Sequence, residues 1–221
     1  MSSAAERLQS VIDGIANAAK VAGRDPVEVQ LIAVSKGTAA EEIEALIAAG
    51  QRDFGENRVQ EALAKWPPLL ARHPNVRLHE IGRLQSNKAA DAVKLFDLIH
   101  SLDRLSLLEA LVREAHKGER FAAVYVQVNI GEEEQKGGCA IDELGTLVEA
   151  VRCSPLPLAG LMGIPPLGVE PSPYFALLAK LARRHDVTGL SMGMSSDYKA
   201  AVMLGATAVR VGTALFEDVP A

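Results

Sequence analysis

Short aliphatic runs and amphipathic helical stretches alternate along this chain eight times, and that alternation limits the fold more than any other feature. A helix between two strands returns the chain to the same end of the sheet, so the strands must run parallel with helices outside them. The runs are Val29–Lys36, a short one ending at Phe54–Asn57, Val76–Ile81, Phe96–His100, Ala122–Asn129, Leu158–Met162, Val187–Ser191 and Ala208–Val211. Each strand–helix unit takes roughly 23 residues, and eight such units can close into a barrel. The expected architecture is α/β: a (β/α)8 TIM barrel with an extra N-terminal helix, residues 1–221 forming a single domain. An open doubly wound sheet is the alternative that strand count alone leaves standing.

Local signals punctuate the alternation. Ser3 with Glu6 and Thr38 with Glu41 have capping-box spacing, and Gly23 and Gly50 mark helix ends. Pro67–Pro68 is expected to close the helix carrying Val59 and Leu63, and Ser172–Pro173 to open another as N-cap and first residue.

Bulk composition narrows the partners. A net charge of −5 argues against a nucleic-acid surface. No apolar stretch approaches the roughly 20 residues of a membrane helix, and Met1–Arg7 lacks a secretory profile. Cys139 and Cys153 have neither metal-site nor disulfide-framework spacing. A cytoplasmic monomer with no membrane or nucleic-acid partner is expected.

In a barrel, binding groups gather at the C-terminal ends of the strands. There the sequence offers Lys36, Asn57, His79 with Gly82, Asn129, Met162–Gly163, Ser191–Ser195 and Arg210–Thr213. Small, hydroxyl-bearing, glycine-containing turns after strands seven and eight are where barrels commonly bind a phosphate. Lys36 ends a buried run, so it either snorkels to solvent or sits partly desolvated as a nucleophile toward carbonyls. A Schiff-base lysine beside a phosphate pocket fits a sugar phosphate or pyridoxal 5′-phosphate (PLP). Spacing does not choose between them.

The order of the motifs does. Ala33–Lys36, Phe54–Asn57 with Val59–Glu61, His79 with Ile81–Gly82, Leu84–Lys88, Asn129–Ile130 with Lys136 and Gly138, Gly160–Met162, Ser191–Ser195 with Asp197, and Arg210–Thr213 with Phe216 run through nearly the whole chain. In that order they resemble the pyridoxal phosphate homeostasis proteins, whose fold is that of the alanine racemase barrel domain. The resemblance implies that Lys36 forms a Schiff base with PLP, and that Ser191, Gly193, Gly212 and Thr213 hold the phosphate. It also implies that Arg210 lies against the pyridine nitrogen, with Asn57, His79 and Met162 lining the site. Strand alternation alone leaves Arg210 free to face outward instead. Glu80 departs from the pattern where an aromatic residue is common, and Glu217 where glycine is usual; Glu217 is expected to face solvent. The stretch between strands six and seven is short. Glu132–Glu134 reads as a solvated loop, and Lys136 as a candidate second lysine that hands the cofactor on. His73, His100, His116 and His185 read as surface or capping residues rather than metal ligands.

A PLP racemase needs an acid/base on each face of the substrate α-carbon. Lys36 supplies one, and since the sequence ends just after strand eight, the β-rich domain that supplies the other in alanine racemase is expected to be lacking. An arginine at the ring nitrogen also disfavours its protonation, weakening the electron sink. The expectation is a non-catalytic PLP-binding protein that buffers the cofactor or delivers it to PLP-dependent client enzymes. A low-activity racemase and, further off, a Schiff-base aldolase are the alternatives.

Overall fold

The computed structural model describes residues 2–133 and 135–216. Eight parallel strands close in sequential order, β1 (Gln30–Val34), β2 (Asp53–Glu56), β3 (Arg77–Glu80), β4 (Leu98–Leu102), β5 (Ala123–Val128), β6 (Leu158–Gly163), β7 (Leu190–Ser191) and β8 (Ala208–Val211). Closure is explicit: Gln30, Leu31, Ile32 and Ala33 of β1 pair with residues 208 to 211 of β8. The open sheet is thereby excluded. Between the strands run α2 (Ala40–Ala48), α3 (Val59–Arg72), α4 (Ala89–Leu95), α5 (Leu105–Gly118), α6 (Leu144–Arg152), α7 (Ser172–Arg184) and α8 (Tyr198–Met203), and α9 (Thr213–Phe216) follows β8.

The predicted extra helix is α1 (Ala4–Val21), opened by the Ser3–Glu6 capping box. It lies across α8 and α9, the helices that follow strands seven and eight. Gly14 makes room for Tyr198, since a Cβ there would sit 2.2 Å from the phenolic oxygen. Arg7 Nε donates to the Leu215 carbonyl at 2.7 Å, tying α1 to the end of α9.

Several local expectations are corrected. α3 runs through Pro67 and Pro68 instead of stopping there. Both prolines face solvent, where the carbonyls that lose their N–H partners can bond water, while buried Trp66 and Leu69 anchor the helix from its other face. Thr38 makes no capping box: α2 starts two residues later, with Ala39 at the N-cap and no side-chain cap. Pro171, not Ser172, is the N-cap of α7. β1 ends at Val34, so Lys36 lies in a turn beyond it. β7 is shorter than Val187–Ser191; before it the chain at Gly189 runs close to β6, where a Cβ would sit 1.9 Å from the Ala159 carbonyl.

The barrel buries two different layers. Between sheet and helices lies an apolar core containing Trp66, Phe54, Phe96 and Phe175. Inside the barrel, Ile32, Tyr125, Met162 and Ala208 are buried apart from that core, alongside His79, His100, Ser191 and Arg210.

Candidate functional site

Lys36 stands exposed on the C-terminal rim, and its amine makes no hydrogen bond or ion pair with any described residue. The residue before it is held tightly. Ser35 N donates to the Gly55 carbonyl at 3.0 Å, Lys65 Nζ donates to the Ser35 carbonyl at 2.7 Å, and Ser35 Oγ donates to Glu56 Oε1 at 2.7 Å. Glu56 Oε1 also accepts from Trp66 Nε1 at 2.8 Å and meets Lys65 Nζ at 2.7 Å. Gly37, at φ +69°, turns the chain immediately afterwards. A free primary amine thus sits on a fixed backbone.

Arg210 faces the barrel interior and is 4% exposed, which removes the outward alternative. Its guanidinium has no carboxylate partner among the described residues. It donates to Ser191 Oγ at 2.5 Å and to the Gly163 carbonyl at 3.2 Å. From Ser191 a chain of contacts descends through the barrel. Ser191 Oγ meets His100 Nδ1 at 2.8 Å, His100 Nε2 meets His79 Nδ1 at 3.0 Å, and His79 Nε2 meets Asp53 Oδ1 at 3.1 Å. Arg77 Nε closes it on Asp53 at 2.8 Å.

A guanidinium only donates and a carboxylate only accepts, so Arg210 donates to Ser191, and His79 donates through Nε2–H to Asp53. His100 lies between them with a pKa well below the usual value, caused first by burial and then by His79 and Arg210, so its imidazole is neutral. Burial alone would raise the Asp53 carboxyl; hydrogen bonds from His79 and Arg77 outweigh it and leave the group below its ordinary range. Burial lowers the Arg210 guanidinium to about 10, so it stays charged at neutral pH. His100 also stacks on Tyr125, with ring centroids 4.3 Å apart.

The turns after β7 and β8 are laced together. Arg210 N donates to the Gly193 carbonyl at 2.9 Å, and Gly212 N to Ser195 Oγ at 3.2 Å. Gly193 has φ +93°, and a Cβ there would sit 2.6 Å from Ala201 Cβ, so glycine is required on both counts. Thr213 opens α9 at the exposed rim, where the first N–H groups of a helix have no internal acceptor.

The structure therefore brings Lys36, Gly193, Gly212 and Thr213 to the C-terminal rim, with Arg210 buried at its base. Met162 is buried in register with Ser191. Asn57 lies against the turn after β3, where a Cβ on Gly82 would meet its carbonyl oxygen at 2.0 Å. Two expected site residues sit lower. Ser191 is fully buried with its hydroxyl engaged by Arg210 and His100, and both ring nitrogens of His79 are taken up by His100 and Asp53. Ser195, half-buried and bonded to Gly212 N, and exposed Ser196 are the hydroxyls that stand in the rim turn. His100 is no surface residue: it is 0% exposed and links His79 to Ser191. His100 closes the run Phe96–His100 in the sequence, which was the available signal, although β4 itself extends to Leu102 and leaves His100 mid-strand. His73, His116 and His185 lie at the surface, and no metal-binding cluster occurs among the described residues. Lys136 donates to the Pro165 carbonyl at 3.2 Å and pairs with Glu133 at 2.5 Å. Glu217 lies outside the described residues, as does Glu134 of the acidic loop.

The alanine racemase N-terminal domain family matches residues 8–220. The pyridoxal phosphate homeostasis protein of Pseudomonas aeruginosa is 43% identical over 222 residues, covering 98% of this chain and 96% of that one. Its Escherichia coli namesake is 38% identical over 231 residues, covering 98% and 97%. The chain belongs to this family. Among solved structures, PipY of Synechococcus elongatus with PLP bound is 42% identical, with a TM-score of 0.79 over 91% of this chain and 99% of that one. Alanine racemase of Corynebacterium glutamicum, 17% identical with a TM-score of 0.66 over 95% of this chain and 62% of that one, shares the fold. No described helix is long and apolar enough to cross a membrane.

Proposed function

We propose that this barrel binds pyridoxal 5′-phosphate at its C-terminal rim and holds it covalently through Lys36. The observation that carries the reading is Arg210, a buried cation with no carboxylate in direct contact among the described residues, set below a free amine and two laced small-residue turns. Burying a charge without a directly bonded counter-ion is costly, so its retention points to a ligand that uses it. Names carried by relatives of 38–43% identity point to the same cofactor.

Bound there, PLP supplies an aldehyde that condenses with a primary amine and a ring that can accept electron density. The chain's own residues set how far that chemistry goes. Lys36 presents the amine, and the Glu56–Lys65 clamp on Ser35 fixes where it emerges. Ser195, Gly193, Gly212 and Thr213 would hold the phosphate, with Asn57 and Met162 lining the pocket. Arg210 would meet the pyridine nitrogen, with Ser191 fixing the guanidinium and His79 supporting Ser191 through His100. A charged arginine that donates to that nitrogen keeps it unprotonated and so weakens the electron sink. Buffering or delivery of PLP to client enzymes by one cytoplasmic, monomeric barrel domain follows better than racemisation.

The test is a visible spectrum of the purified protein before and after borohydride reduction, with peptide mapping. A yellow protein whose reduced pyridoxyl group maps to Lys36, and a Lys36→Ala variant that folds but takes no label, are the expected results. A protein that stays colourless with added PLP overturns the reading. Lys36-dependent exchange of amino-acid α-protons in heavy water, faster than with free PLP, would overturn the carrier assignment alone.

A further inference from the structure

Behind the rim, on the helix side of the sheet, two glutamates share one buried space. Glu56 and Glu80 end neighbouring strands in register, Glu56 opposite Glu80. They are 0% and 1% exposed. Glu56 Oε1 takes donors from Ser35, Trp66 and Lys65, and Glu80 Oε1 accepts from Gly82 N at 3.1 Å. The second oxygen of each has no partner.

Charge does not balance there if both acids are ionised. Among the described residues, Lys65, on α3, is the cation that pairs with either acid, and it is spent on Glu56 and the Ser35 carbonyl. On the turn and helix after β3, Arg83 and Lys88 make no ion pair with a described residue, and Asp91 accepts from Gln60. Arg104, before α5, pairs with Asp103 and reaches Leu84 and Ser86. A second buried carboxylate without a cation is far costlier than a neutral acid. We propose that Glu80 works as a neutral carboxylic acid and is a positioning residue for the rim, acting on Lys36 through Glu56, Lys65 and Ser35 and on Asn57 through Gly82.

The two routes are short. Ionised Glu80 would set a second negative charge beside Glu56 and compete for Lys65, which clamps the peptide preceding Lys36. On its other side, Glu80 holds the N–H of Gly82, whose α-carbon packs against the Asn57 backbone. Burial raises the carboxyl to about 8, against a lowering by the Gly82 hydrogen bond, and the neighbouring Glu56 adds a lesser rise. The proton is thus lost in mildly alkaline solution, where the rim should change while the barrel stays closed.

This inference rests on the PLP reading, so the experiment separates the two. In the cofactor-free protein, the 13C carboxyl shift of Glu80, assigned by its absence in Glu80→Gln, should report a protonated acid at neutral pH that titrates near pH 8. PLP affinity, followed by absorbance from about pH 6.5 to 9.5, should fall by about threefold or more across the same midpoint. Glu80→Gln should lose that step. A carboxyl already ionised at neutral pH overturns the neutral-acid assignment, whatever PLP does. A titrating Glu80 with no affinity step, or a step that persists in Glu80→Gln, overturns the positioning role. Failure to bind PLP at any pH removes the functional reading and takes the positioning role with it, while the carboxyl shift still decides the protonation state.

Discussion

The two buried layers of this barrel follow opposite rules. Between sheet and helices, side chains such as Phe54, Phe96, Phe175 and Leu147 bury apolar surface, each contributing on the order of 1.5–3 kcal/mol. Inside the barrel, an arginine, two histidines, a serine and an aspartate form a hydrogen-bond chain. Such a chain is expensive to desolvate and returns little net stability. What it returns is a fixed guanidinium at the base of a rim site. The outer layer holds the barrel together, and the inner layer holds a charge in place. Glu56 and Glu80 mark where the rule is broken from the other side, as polar groups in the apolar layer, and they too lie behind the rim.

The largest expected effect tests the outer rule. Phe175→Ala removes a fully buried ring of α7 from the apolar layer and should cost about 3–5 kcal/mol. Denaturant unfolding measures it, and the fraction that remains folded should bind PLP as wild type does. A loss below ~1 kcal/mol would mean that the layer collapses around the gap and does not carry the stability assigned to it.

Next in size is the pH dependence of the two layers, where the signs differ. Glu80 has a folded pKa raised from 4.5 to about 8, so the native state binds the extra proton between those values. Its stabilising contribution is full below the unfolded value and is lost as pH rises through the folded one. Glu80→Gln should therefore stabilise the protein above that range, by on the order of 2–4 kcal/mol. Asp53 has a folded pKa below 3.8, so its contribution is present above the unfolded value and is lost as acid titrates it through the folded value. Asp53→Asn should cost about 1–3 kcal/mol at neutral pH and remove that acid-side loss. Denaturant midpoints across the pH range check both. If the two variants moved the same limb in the same direction, the contrast between layers would fail.

How much of this was legible in the sequence follows the same division. Aliphatic runs of period suited to strands, separated by amphipathic helices, gave the barrel, its order and the extra N-terminal helix. Lys36, Gly193, Gly212 and Thr213 could be placed at the rim because strand ends and glycine turns are local features. The interior chain was not legible as a chain. Asp53, His79, His100, Ser191 and Arg210 come from five strands, and which side each faces depends on registers that pairing sets, including an irregularity between Ile99 and Leu102. His100 therefore passed for a surface residue. α3 hid its length for a different reason: two prolines read as a stop, and only the burial of Trp66 and Leu69 on the opposite face shows why the helix continues.

Thr213→Val gives the smallest effect and the finest test of where the inner layer hands over to the rim. Thr213 is exposed at the start of α9 and makes no side-chain hydrogen bond with a described residue. Its hydroxyl therefore contributes little to the cofactor-free fold, and the substitution should leave the unfolding midpoint within about 0.5 kcal/mol. If the hydroxyl donates to the PLP phosphate, its loss should weaken affinity by about 0.5–1.5 kcal/mol, roughly a two- to twelvefold rise in Kd. Lys36 should still take the reduced label, because the covalent bond and the phosphate hold are separate contributions. Unchanged affinity would move the phosphate toward Ser195 and Gly212, already joined by the Gly212 N–H to Ser195 Oγ bond. A large loss of stability would mean instead that Thr213 belongs to the scaffold, and that the boundary between scaffold and site lies further out along α9.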